Sequence, residues 1–231
     1  TPAIHRAMTS ILAAAGVNYI FLDRDGSICC GRPLLLAGKK LQADELMRNN
    51  RNLILKTKAR VLVTSCPICH RMFKEEYNLP IRIVHHSQFL LELVKHGRIP
   101  LQSVHKRVAY HDPCDLGRGA GVYNDPRDLI SKVADLVPTA HEQSDSLCCG
   151  GSLATFTTTS EEKDKVTIHA LGSLLANDPE YLVTSCPLCK KTFANRSKTK
   201  VIDLAELLWS SIPRTIPEQT TDNRQPITYN G

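Results

Sequence analysis

Nine cysteines are the residues of this chain with the clearest potential for chemistry. An odd number of cysteines argues against a framework of disulfides, and thiolates are soft ligands for Zn²⁺ or iron–sulfur clusters. The composition therefore predicts metal ligation in a reducing compartment. The cysteines are Cys29, Cys30, Cys66, Cys69, Cys114, Cys148, Cys149, Cys186 and Cys189.

The spacing of these cysteines favours a cluster over a single ion. Cys148 and Cys149 are adjacent, and so are Cys29 and Cys30. Neighbouring side chains diverge, which is awkward for one tetrahedral ion but allows two sulfurs to reach different irons. Each later Cys-x-x-Cys pair can supply two ligands from one turn at the start of a helix, where backbone N–H groups favour negative charge. We therefore expect an iron–sulfur cluster, with zinc as the alternative.

The cysteine pattern occurs twice along the chain. Residues 61–73 (VLVTSCPICHRMF) and 181–193 (YLVTSCPLCKKTF) are identical at eight of thirteen positions. Three landmarks in the same order indicate a duplication. The second copy has one further cysteine, Cys114, whose counterpart would fall before residue 1, so we expect the sequence to begin inside its first repeat. The remaining matches are 29–31 with 148–150 and, more weakly, 84–91 with 201–208.

Apolar runs of strand length alternate with segments of helical periodicity, which predicts an α/β fold. We expect two duplicated Rossmann-like α/β units with parallel sheets, related by a pseudo-two-fold. The first unit covers residues 1–100, the second covers 101–211, and residues 212–231 form a mobile tail. The predicted strands are 18–22, 60–64, 81–84, 107–110 and 181–184, and the predicted helices include 1–15, 40–55, 87–95, 126–136, 161–175 and 205–210.

The order of cysteines resembles that of the CCG, or cysteine-rich, domain family. In that family a Cys, a Cys-Cys-Gly and a Cys-x-x-Cys recur twice at comparable spacing, so the two units look like CCG repeats, the first incomplete at its N-terminus. The family includes the B/D-type subunits of heterodisulfide reductase and the iron–sulfur subunits of glycolate and lactate oxidases. The run HDPCDLGR at 111–118 looks most like the heterodisulfide reductase branch.

The resemblance implies that five cysteines together hold a non-cubane [4Fe-4S] cluster at which a disulfide is cleaved. The first copy offers only four cysteines, so its site is left open to a second cluster, to zinc or to neither. The complete set is Cys114, Cys148, Cys149, Cys186 and Cys189, and the incomplete set is Cys29, Cys30, Cys66 and Cys69.

Several histidines stand close to these cysteines. His111 precedes Cys114 by three residues and is the candidate catalytic residue, placed to donate a hydrogen bond to a cluster sulfur or to relay a proton. Asp112 is expected to cap a turn with Pro113. The adjacent pair His85-His86 offers ligands or proton donors, but its position between a strand and a helix favours capping and packing.

The resemblance implies an iron–sulfur oxidoreductase subunit that passes electrons to a disulfide. The alternatives are an electron-transfer subunit of a flavin-dependent glycolate or lactate dehydrogenase and a zinc-stabilised scaffold or assembly factor. The expected partner is a flavoprotein, a ferredoxin-like protein or a membrane cytochrome, and the expected location is cytoplasmic or peripheral on a membrane complex. Nucleic-acid binding is not expected, because scattered basic residues give a net charge of only +6 and aromatic residues make up 5%.

Overall fold

Helices and strands alternate along the chain in a computed structural model that describes residues 2–23, 29–152 and 157–213. The helices are α1 (Pro2–Ala14), α2 (Arg32–Leu36), α3 (Lys40–Lys56), α4 (Pro67–Glu75), α5 (His86–Lys95), α6 (Gly117–Ala120), α7 (Asn124–Ile130), α8 (Ser160–Leu174), α9 (Pro187–Ala194) and α10 (Leu204–Ser210). The strands are β1 (Val61–Thr64), β2 (Arg82–His85), β3 (Arg107–His111), β4 (Asp135–Leu136), β5 (Tyr181–Thr184) and β6 (Lys200–Asp203).

All the strand pairs of the described residues are parallel. β1 pairs with β2, and the other strands form a sheet in the order β4-β3-β5-β6. The predicted α/β class with parallel sheets is therefore confirmed. The order strand, helix, strand, helix occurs in β1-α4-β2-α5 and again in β5-α9-β6-α10. The duplication itself and its pseudo-two-fold relation stay predictions.

The ends of the helices fix where the Cys-x-x-Cys segments lie. Cys66 and Cys186 are the N-cap residues of α4 and α9, and Pro67 and Pro187 occupy the first turn. Proline suits this position because an N–H group there has no partner within the helix. Each helix therefore begins directly after a cysteine, with its free N–H groups near the sulfurs.

One apolar core runs through both halves of the chain. It contains Ile11 of α1, Leu90 of α5, Tyr110 of β3 and Leu207 of α10, each at most 2% exposed. A second core lies beneath α8 and α9 and includes three cysteines of the second set. The predicted boundary at residue 100 stays a prediction, and the larger core has members on both sides of it.

Some predicted elements differ from those in the structure. The strand expected at 18–22 does not form, and Tyr19 and Ile20 are 47% and 62% exposed. An isolated strand leaves its backbone hydrogen-bonding groups unpaired, and no described strand pairs with this run. The helix predicted over 126–136 ends at Ile130, and Asp135–Leu136 forms β4 instead. Most of the predicted tail lies outside the described residues.

Candidate metal centre

The second cysteine set lies at the carboxyl ends of β3 and β5. Cys114 follows the end of β3 by three residues, and Cys186 follows the end of β5 by two. The two strands are direct neighbours, with His111 opposite Thr184, so the two loops meet at one edge of the sheet. The adjacent cysteine pair reaches the same place from the loop before α8. Four thiols line the recess formed there: Cys114, Cys149, Cys186 and Cys189.

The five thiols of this set form a continuous row of hydrogen-bonded contacts. Hydrogen bonds from the thiols of Cys148 and Cys189 lower the pKa of Cys149 to about 4. Donation to Cys149 and to Cys186 raises the pKa of Cys189 well above its usual value. The row therefore holds a thiolate at its centre, and a soft cation can replace the remaining thiol protons. Its order is Cys114, Cys148, Cys149, Cys189 and Cys186.

Backbone N–H groups also point at these sulfurs. The Gly150 nitrogen lies 3.4 Å from Sγ of Cys148, and the Gly151 nitrogen lies 3.4 Å from Sγ of Cys149. Gly150 has a φ of 84°, in the left-handed region that favours glycine. A Cβ atom at Gly150 would lie 2.8 Å from the carbonyl oxygen of Lys163. Only glycine can therefore make this turn without displacing α8.

His111 joins the loop that precedes Cys148 to the sheet through two hydrogen bonds. Its Nε2 lies 3.1 Å from the carbonyl oxygen of Leu147, and its Nδ1 lies 3.2 Å from Oγ1 of Thr184. Because a carbonyl oxygen only accepts, Nε2–H donates to Leu147 and the Thr184 hydroxyl donates to Nδ1. Burial lowers the pKa of His111 to about 4, so the ring is neutral at pH 7. These contacts hold the residue before Cys148, and the predicted catalytic role of His111 stays a prediction.

A buried ion pair between Arg127 and Asp112 also holds the loop that precedes Cys148. The Arg127 guanidinium contacts both carboxylate oxygens of Asp112, with 2.7 Å between Nη2 and Oδ2. The Gln143 N–H donates to Oδ2 of Asp112 at 2.9 Å, and the Ser146 hydroxyl donates to the Asp112 carbonyl oxygen at 3.0 Å. Asp112 therefore holds the segment that leads into Cys148, a longer-range role than the predicted turn cap.

The first half of the chain supplies one wall of this recess. Pro67 and Ile68, from the first Cys-x-x-Cys segment, line it beside the second-set thiols. Nη1 of Arg71 lies 2.9 Å from Oδ1 of Asp115, which joins α4 to the loop that carries Cys114. The site is therefore built at the junction of the two halves.

The first cysteine set is partly assembled. The Cys69 thiol donates hydrogen bonds that lower the pKa of Cys30 to about 6 and also lower the pKa of Cys66. Cys29 is exposed, and its sulfur accepts a hydrogen bond from the Gly31 N–H at 3.4 Å. Three of the four thiols therefore lie in contact.

Three further residues that hold the cysteine loops were not predicted from the sequence. The Tyr77 hydroxyl donates to the carbonyl oxygen of Cys30 at 3.0 Å, and Nδ2 of Asn50 donates to that of Cys29 at 2.9 Å. The Thr167 hydroxyl donates to the carbonyl oxygen of Cys149 at 2.8 Å. Each acts on the backbone of a loop far away in sequence, so no local pattern marks it.

The donor set fits a thiolate-bound centre with several metals. The second-set thiols are arranged in a row, with backbone N–H donors and largely apolar surroundings. Soft sulfurs supported by such donors are typical of iron–sulfur centres. The identity of these cysteines as ligands stays a prediction.

Replacing Gly150 tests the turn that presents Cys148 and Cys149. We expect Gly150→Ala to lower the free energy of unfolding by about 3 kcal/mol, because the strain of a positive φ adds to a clash with α8. Gly38→Ala is the matched control, since Gly38 has a φ of 70° and open space around its Cα. The free energy of unfolding of the control, measured with urea, should fall by only about 1–2 kcal/mol. Equal losses in the two variants would contradict this account of the turn.

The buried neutral ring of His111 predicts a pH dependence. Its folded-state pKa lies below its unfolded value of 6.5, so its contribution to stability is complete above pH 6.5 and is lost as pH falls towards 4. Between pH 6.5 and 4, we expect the free energy of unfolding of metal-free wild type to fall by about 3 kcal/mol relative to that of His111→Gln. Urea unfolding measures this difference. The exposed His169 of α8 provides the control variant His169→Gln, whose free energy of unfolding should change with pH in the same way as that of wild type. A constant difference between wild type and His111→Gln would refute the prediction.

Comparisons with known proteins point to one family. A family model described as the cysteine-rich domain, CCG, matches residues 1–74 and 108–194. One subunit of the dihydromethanophenazine:CoB–CoM heterodisulfide reductase from Methanosarcina mazei is 29% identical over 214 residues, which cover 87% of this chain and 52% of that protein. EtfAB:quinone oxidoreductase from Syntrophomonas wolfei is 27% identical over 228 residues, which cover 90% of this chain and 32% of that protein.

One subunit of the fumarate reductase (CoM/CoB) from Methanothermobacter marburgensis is 25% identical over 193 residues, which cover 80% of this chain and 38% of that protein. The chain thus spans about half of these relatives' length or less. The segments that the family model matches contain all nine cysteines and make up more than half of the chain. The chain therefore belongs to the CCG, or cysteine-rich domain, family.

Proposed function

We propose that this chain is an iron–sulfur oxidoreductase subunit that passes electrons to a disulfide through a cluster at the second cysteine set. The observation that carries the proposal is the row of five thiols, contributed by three separate segments of the chain, four of which line one recess. The relatives are oxidoreductases or reductase subunits by name, which supports an electron-transfer role. The resemblance to heterodisulfide reductases favours a non-cubane [4Fe-4S] cluster.

The proposed reaction adds two electrons and two protons to a disulfide, which breaks the S–S bond and releases two thiols. A bound cluster would supply the electrons in single-electron steps. The chain's own contribution is to hold five thiolates and to donate the N–H groups of Gly150 and Gly151 to their sulfurs, which stabilises negative charge. The role that we propose for His111 is to position the loop that carries Cys148, because the one N–H of its neutral ring already donates to the Leu147 carbonyl oxygen.

The remaining parts of the proposal concern the first set and the partners. For the first set we propose a second cluster or zinc, since three of its thiols are in contact. Electrons would come from a flavoprotein, a ferredoxin-like protein or a membrane cytochrome. None of the described helices combines the length and apolarity needed to cross a bilayer. A cytoplasmic location, free or peripheral on a membrane complex, is part of the same proposal.

A second candidate is an electron-transfer subunit of a flavin-dependent dehydrogenase, with the chemistry on another chain. The relative named EtfAB:quinone oxidoreductase favours this candidate, because its name gives a quinone and not a disulfide as the reaction partner. The two candidates share the cluster and differ in whether a disulfide meets it directly.

Anaerobic reconstitution with iron and sulfide tests the cluster. We expect the protein to bind iron and sulfide and to absorb visible light. Cys149→Ser and Cys186→Ser should lose the portion of the iron and of the absorbance that belongs to the second cysteine set, because each removes a thiolate from the row. Cys66→Ser is the matched control in the first set and should keep that portion. Titration with a disulfide should then produce a paramagnetic signal in wild type and in Cys66→Ser.

Each other outcome excludes a specific part of the proposal. Colourless protein with stoichiometric zinc and no iron would exclude an iron–sulfur function. A cluster that shows no response to any disulfide would select the second candidate.

A further inference from the structure

A row of buried polar side chains crosses from the first sheet to the second. Nε2 of His85 lies 3.2 Å from Nδ1 of His86, and Nε2 of His86 lies 3.1 Å from Oδ1 of Asp203. All three residues are 0% exposed. We call these three side chains the buried relay.

The hydrogen bonds around the buried relay fix the position of every ring proton. The backbone N–H of Ser87 donates to Nδ1 of His85 at 3.4 Å, so that nitrogen carries no proton in the neutral ring. Nε2–H of His85 therefore donates to His86, and Nε2–H of His86 donates to Asp203. Burial holds the pKa of His85 well below its usual range, which keeps its ring neutral. Both ring protons thus point towards the Asp203 carboxylate.

The two ends of the buried relay lie opposite the strand ends that lead into the two cysteine sets. His85 is opposite Thr64 in the β1–β2 register, and Thr64 is two residues before Cys66. Asp203 is opposite Thr184 in the β5–β6 register, and Thr184 is two residues before Cys186. Both ends are also N-cap residues, His85 of α5 and Asp203 of α10. The buried relay therefore spans the distance between the strand ends that lead into the two sites.

One oxygen of the buried relay has no hydrogen-bond partner. Oδ1 of Asp203 accepts from His86 and, at 2.9 Å, from the Ala205 N–H, whereas the buried Oδ2 accepts from no described group. The ring nitrogens of His85 and His86 are all engaged. A further proton entering the buried relay is therefore best accommodated on Oδ2.

The titratable groups around Asp203 come from several elements. Among the described ion pairs, Asp203 contacts no lysine or arginine, and its one ionisable partner is the His86 ring. No lysine or arginine among the described ion pairs therefore offsets negative charge that is added near this carboxylate. The neighbouring titratable groups are His70 of α4 beside His85, Tyr110 of β3, Glu206 of α10 and Lys190 of α9, the last two paired with each other.

We propose that Asp203, at the end of the buried relay, takes up one proton when one electron is stored at the second cysteine set. The inference rests on the proposed function, since the redox partner supplies the electron. The proton comes from the solvent, an O–H bond forms on Oδ2, and reoxidation releases the proton again. Disulfide reduction consumes protons and electrons in equal number, so a carboxylate that stores one proton per electron matches that chemistry.

Potentiometric titration of the reconstituted protein between pH 6 and 9 tests the proposal. We expect the midpoint potential to fall by about 59 mV per pH unit, which corresponds to one proton per electron. Asp203→Asn should abolish this slope, because the amide cannot take up a proton but keeps the cap of α10. Asp145→Asn is the matched control, since the exposed Asp145 also pairs with a histidine, His141, and its slope should equal that of wild type.

Infrared difference spectroscopy of wild type provides a second readout that needs no variant. The reduced-minus-oxidised spectrum should show the C=O band of a protonated carboxyl group, shifted in D₂O. Failure to form any cluster would refute the proposed function. A cluster whose potential does not depend on pH, a spectrum without the carboxyl band, or a slope that survives in Asp203→Asn would overturn this inference alone.

Discussion

The direct parallel pairing of β3 with β5 is the constraint on which the candidate centre depends. The two strands are separated by about 70 residues of sequence, yet His111 lies opposite Thr184 in the register. Because parallel strands end at the same edge of a sheet, the loops carrying Cys114 and Cys186 are forced together. The remaining thiols need only a loop held against that edge, and His111, Asp112 and Arg127 provide the hydrogen bonds that hold it. The thiol row is therefore a consequence of sheet topology.

Local patterns in the sequence were sufficient for the parts of the fold that local chemistry determines. The strand at 181–184 forms where the apolar run predicts it, and the helices that begin at Pro67 and Pro187 form where the Cys-x-x-Cys pairs predict them. The grouping of the second-set cysteines was implied by the resemblance to the CCG family, and their role as ligands stays a prediction. The hydrogen bonds that hold their loops had no signal in the sequence.

Tertiary context decided the parts that the sequence did not reveal. β4 has two residues and exists because β3 offers it an edge, which helical periodicity over 126–136 could not indicate. The apolar run at 18–22 has strand character but no described strand beside it. The alignment of the halves also shifts by one residue: sequence similarity pairs Val84 with Val201, whereas the N-caps place His85 in the position of Asp203. That shift is visible only once the helix caps are known.

The wall formed by Pro67 and Ile68 has a consequence for how the two halves can be studied. The recess of the second set is complete only when α4 of the first half is in place. The ion pair between Arg71 and Asp115 joins the two halves at the same place. A fragment starting near residue 101 would present its sulfurs to dissolved oxygen on an open face. Redox measurements on the second cysteine set therefore need residues of both halves in one protein.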